Sequence, residues 1–99
     1  MRISQQTHDF ILNAVKNKVS ADARVHLFGS RVDDKAKGGD VDLLVESDGA
    51  IDDPALVAAQ LSAQISRYMH GRQVDVVLSA PNLTKQPIHA IAVKTGVRL

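Results

Sequence analysis

The sequence predicts an α/β (α+β) domain: a three-stranded mixed sheet packed by helices, in the order α-β-β-α-β-α. Three observations carry this reading. Stretches beginning near Gln5 and Pro54 repeat apolar residues at helical spacing. Short β-branched runs at Val25, Val41 and Val74 are bounded by Gly, Asp or Pro. The second and third runs are joined by a helix long enough for a parallel crossover, whereas only a polar, glycine-containing segment joins the first and second.

The first helix is expected from about Gln5 to Lys18. Phe10, Ile11, Ala14, Val15 and Val19 form one stripe along it, and Ser4 or Thr7 is placed to cap it. Val25-His26-Leu27-Phe28 reads as a strand that Gly29 stops, and Ser30 to Gly39 as a loop. Gly38-Gly39 gives the backbone freedom to turn into the second strand, Asp40 to Glu46. There Val41, Leu43 and Val45 share one face, and Asp40, Asp42, Leu44 and Glu46 the other. After a loop from Ser47, Asp53-Pro54 reads as an N-cap followed by proline in the first turn. That helix carries Val57, Leu61, Ile65 and Met69, with Gly71 expected as its left-handed cap. A third strand is expected from Gln73 to Leu78. Ser79-Ala80-Pro81-Asn82 breaks it, and a last helix from about Pro87 to Lys94 precedes Gly96.

Composition narrows the function. Ninety-nine residues make one domain over 1–99, with room for one core. There is no cysteine, which removes disulfides, zinc–thiolate sites and thiol catalysis. The net charge is +1 with scattered basic residues, and aromatics are 3%, so no nucleic-acid partner is expected. No run reaches membrane-spanning length and the N-terminus has no signal-peptide core, so a soluble cytoplasmic protein without membrane contact is expected.

The chemistry gathers around Asp40-Val41-Asp42. Residues i and i+2 of a strand point the same way, so both carboxylates share a face. At ~4 Å and an effective dielectric of ~20 their repulsion is roughly 4 kcal/mol before screening. A cation between them turns that cost into binding. Oxygen-only ligands suit a hard ion, and Mg²⁺ completes its shell with water and phosphates. If the first two strands pair antiparallel and the last two parallel, Gly29-Ser30 and Asp75 arrive at the same sheet edge.

Gly29-Ser30, a nine-residue spacer, Asp40-x-Asp42 and the later strand residue Asp75 resemble the DNA polymerase β-like nucleotidyltransferase superfamily, in particular its minimal, MNT-type domains. The resemblance covers nearly the whole chain and implies the palm-like fold. The spacer is one residue shorter than the commoner form. By this resemblance, Gly29, Ser30 and Arg31 would bind the triphosphate of ATP. Asp40, Asp42 and Asp75 would be the catalytic residues, holding Mg²⁺ in a two-metal site, with Asp75 also placed to take a proton. It further implies transfer of AMP to a hydroxyl, that of a tyrosine on a helical HEPN-type toxin, with this chain as antitoxin.

Plainer readings stand beside these. Asp40 and Asp42 would serve equally as solvated residues at a strand start, and Arg31 as a surface arginine. Asp33, Asp34, Asp48, Asp52 and Asp53 read as loop or cap residues. His8, His26, His70 and His89 share no spacing and read as ordinary surface or partly buried histidines. Two other functions stay open: a relic site on a module that neutralises its partner by contact, and nucleotidyl transfer to a small molecule of the aminoglycoside type. A homo-oligomer is also compatible with the sequence.

Overall fold

The computed structural model describes residues 3–28, 41–83 and 96–99. Within them the chain runs α1 (Gln5–Lys18), β1 (Arg24–Phe28), β2 (Val41–Glu46), α2 (Pro54–Tyr68), β3 (Val74–Ser79) and β4 (Val97–Arg98). The expected loop over residues 30–39 and the expected helix over residues 87–94 lie outside the described residues.

The sheet has the order β3-β2-β1-β4. It is therefore four-stranded, one strand more than the sequence predicts. The added strand, β4, is two residues long, too short to show a period of two. It is created by pairing: Leu27 lies opposite Val97 and His26 opposite Arg98, while the Leu99 N–H donates to the Val25 carbonyl at 2.9 Å. The other pairings follow expectation. β1 and β2 are antiparallel, with Phe28 opposite Asp42 and Arg24 opposite Glu46. β2 and β3 are parallel, joined through α2, in a register running from Val41–Val74 to Glu46–Ser79.

Alternation along the strands decides which residues meet the helices. Val25 and Leu27 of β1, Val41, Leu43 and Val45 of β2, and Val74 and Leu78 of β3 are buried in one cluster. Ile11, Ala14 and Val15 of α1 and Leu61 and Ile65 of α2 complete it. Both helices thus cover the same face of the sheet. Phe10 and Tyr68 stack between the helices, with ring centroids 4.0 Å apart and planes 11° from parallel. The opposite face has a smaller apolar cluster in which Phe28 and Leu44 are buried and Val77 packs against them.

The helix ends show which caps the chain uses. At α1 the Thr7 N–H donates to Ser4 Oγ at 3.1 Å, so Ser4 is the cap. Asp53 holds the N-cap position of α2 ahead of Pro54, as expected. It does so in a left-handed conformation (φ 48°) with no side-chain capping bond. The left-handed turn after α2 begins a residue earlier than the sequence suggests. His70 (φ 61°) and Gly71 (φ 86°) both take positive φ. The Gly71 N–H donates to Ser66 O at 2.8 Å and the His70 N–H to Arg67 O at 3.3 Å, the paired bonds of a Schellman ending. Among the described residues no helix is long and apolar enough to cross a membrane.

Two outcomes follow for stability, both measured by urea unfolding. Leu43 is 0% exposed at the centre of the sheet, and Leu43→Ala should cost about 2–5 kcal/mol. His70→Gly should instead raise stability by up to about 1 kcal/mol, because glycine escapes the penalty of the left-handed region.

Candidate active site

The face of the sheet turned away from the helices carries Asp42 and Asp75, the described candidate site residues. Arg24, His26 and Phe28 of β1 lie opposite Glu46, Leu44 and Asp42 of β2. The last two pair in turn with Val77 and Asp75 of β3, and Glu46 with Ser79. Paired residues point to the same side, so Asp42 and Asp75 stand level on adjacent strands. Strands in a sheet are spaced by about 4.8 Å. Asp42 is half-buried and Asp75 exposed, so water screens their repulsion to roughly 1 kcal/mol. Two level carboxylates offer an all-oxygen donor set, which matches a hard divalent cation. Gln73 Nε2 donates to Asp75 Oδ1 at 3.4 Å, and the Val41 N–H donates to the Gln73 carbonyl at 2.8 Å.

Of the six candidate site residues, the structure describes Asp42 and Asp75 and brings them together. Phe28, the residue before Gly29, is paired with Asp42. Gly29, Ser30, Arg31 and Asp40 lie outside the described residues. Among the described residues no group of three His, Asp or Glu side chains is clustered as a metal site would need.

The other end of the same face holds a charged group that the sequence does not reveal. His26 is 9% exposed, and its Nε2–H donates to Glu46 Oε1 at 2.6 Å. Arg24 reaches Glu46 Oε1 at 3.9 Å and Asp48 Oδ1 at 3.2 Å. The hydrogen bond to Asp48 raises the Arg24 guanidinium above its ordinary range. A cavity of about 220 Å³ opens beside this group, lined by Arg24, Glu46, Ser47, Asp48, Ser79 and Pro81 among others. Only the cross-strand register joins residues 20 or more apart in sequence here, so no local signal marks them.

Residues 9–97 match the model of a nucleotidyltransferase domain. No curated protein matches the chain. Solved structures that share its fold include the following two. One is a chain from a mutant of the toxin–antitoxin pair MntA–HpeT, with a TM-score of 0.66 and 17% identity, covering 93% of this chain and 69% of the other. The second comes from the tri-AMPylated HEPN toxin of Shewanella oneidensis in complex with its MNT antitoxin. Its TM-score is 0.65 at 16% identity, over 97% of this chain and 71% of the other.

The part-buried His26–Glu46 pair is open to a direct measurement. A double-mutant cycle over His26→Ala and Glu46→Ala, followed by urea unfolding, should return a coupling of about 1.5–3 kcal/mol, the range for hydrogen bonds to charged groups.

Proposed function

The chain belongs to the nucleotidyltransferase domain family, and from that premise we propose that it transfers AMP from ATP to a hydroxyl group of a partner protein. The partner proposed is a HEPN-type toxin, the acceptor a tyrosine on it, and the role of this chain that of antitoxin. What supports the chemistry is the register that sets Asp42 level with Asp75 on one face of the sheet. What supports the partner is the fold shared with chains from an MntA–HpeT pair and from a complex of an AMPylated HEPN toxin with an MNT antitoxin.

In this reading Asp42 and Asp75, joined by Asp40, would hold Mg²⁺; their oxygen-only chemistry fits that ion. When bound, the metal offsets the charge of the triphosphate and makes the attacking hydroxyl more acidic. Gly29 and Ser30 bind the phosphates with backbone N–H groups and the serine hydroxyl, and Arg31 adds positive charge. The acceptor oxygen forms a bond to the α-phosphorus as the bond from that phosphorus to the pyrophosphate oxygen breaks. Asp75 takes the hydroxyl proton, and pyrophosphate leaves with the electron pair.

Incubation with ATP labelled at the α-phosphate, Mg²⁺ and a HEPN-type partner should transfer label to the partner. Asp42→Ala should reduce labelling by at least about 100-fold, the scale on which a lost electrostatic stabiliser acts. Circular dichroism should show its fold unchanged. Stable co-purification without transfer of label by the native chain would overturn the enzymatic reading in favour of neutralisation by contact.

A further inference from the structure

Gln73 stands two residues before Asp75 and so points to the same face of the sheet. It is attached to that edge twice. Its carbonyl accepts the Val41 N–H at 2.8 Å, which closes the β2–β3 ladder at the end where the aspartates stand. Its side-chain amide donates to Asp75 Oδ1 at 3.4 Å. Asp75 is exposed, and an exposed aspartate is otherwise free to exchange rotamers. A donor on Oδ1 favours one orientation of the carboxylate, and the backbone bond fixes the point on the strand from which the Gln73 side chain reaches it. Carboxylates that hold metals are commonly oriented in this way by an outer partner.

We infer that Gln73 is a positioning residue: through its amide it holds the Asp75 carboxylate in the orientation that binds the divalent cation beside Asp42. This rests on the reading of Asp42 and Asp75 as cation ligands. It predicts a separation between the two roles of Gln73. The backbone bond to Val41 is independent of the side chain, whereas the bond to Asp75 disappears with the amide. Gln73→Met keeps length and bulk and removes the amide, and with it the donor to Asp75. Gln73→Glu, nearly isosteric, replaces the donor by a second negative charge.

The test is Mn²⁺ binding by the full chain, followed through loss of the free-ion electron paramagnetic resonance signal. Gln73→Met should weaken Mn²⁺ binding by about tenfold, the low end for an outer-shell partner because the bond is exposed. The melting temperature of the metal-free protein should stay within about 2 °C of native, as expected for a surface change without lost packing. In labelling assays the same variant should raise the Mg²⁺ concentration giving half the maximal rate. In an Asp75→Asn background Gln73→Met should have no further effect on Mn²⁺ affinity. Unchanged Mn²⁺ affinity in Gln73→Met, with binding by the native chain intact, would overturn the role of Gln73 alone. Absence of Mn²⁺ binding by the native chain would overturn this inference together with the metal reading of Asp42 and Asp75. Native Mn²⁺ binding that Gln73→Met weakens, without any transfer of AMP, would support Gln73 while overturning the nucleotidyl-transfer reading.

Discussion

Parallel pairing of β2 with β3 is the constraint on which the rest of this molecule depends. Those strands are adjacent in space but separated in sequence by α2, so the helix has to return the chain to the edge from which β2 started. Once it does, the register from Val41–Val74 to Glu46–Ser79 determines the placement of every side chain on both strands. A slip of one residue would move Leu43 and Val45 out of the core and bring Leu44 and Asp42 into it. The buried valines and leucines that face α1 and α2 therefore hold the two aspartates level from the opposite face of the sheet.

Strand β2 is central and buried on both sides along most of its length. Leu43 meets the helices, while Leu44 is equally inaccessible on the opposite face, with Phe28 and Val77. Asp42 is close to the end of the strand, where it is half-buried rather than enclosed. This position lets a carboxylate belong to a central strand without the desolvation cost that full burial would bring. The other polar residues of the face follow the same logic. His26 is nearly enclosed but has Glu46 at 2.6 Å, and Arg24 lies between Glu46 and the exposed Asp48.

The ends of the elements show where the chain accepts local cost for global placement. Asp53 and His70 both occupy the left-handed region without being glycine. They bracket α2, the crossover element, one at the turn into it and the other at the turn out toward Gln73 and β3. The Schellman bonds to Ser66 and Arg67 compensate at the second turn by satisfying carbonyls that would otherwise end the helix unpaired. Asn82 performs a related service beyond β3, both accepting from the Ile51 N–H at 3.0 Å and donating to its carbonyl at 2.9 Å, and so joins the two loops that follow β2 and β3.

What the sequence by itself determined is the part set by period and punctuation. The stripe of Ile11, Ala14 and Val15, the alternation of Val41, Leu43 and Val45, and the Asp53-Pro54 start of α2 depend on neighbours within a few residues, and so are legible locally. The parallel relation of β2 and β3 could be anticipated from the length of the helix between them, and with it the meeting of Asp42 and Asp75. Tertiary structure alone decided the rest. Strand β4 exists because β1 has an edge to offer, not because Val97-Arg98 carries a pattern. His26 finds Glu46 only after the strands align. Whether Ser4 or Thr7 caps α1, and whether His70 or Gly71 turns the chain first, depends on backbone angles that composition does not encode. For the cross-strand pairings the physical reason is a shared one. Periodicity records which side of an element is apolar, whereas pairing between distant residues is settled by the register that packing of the whole core selects.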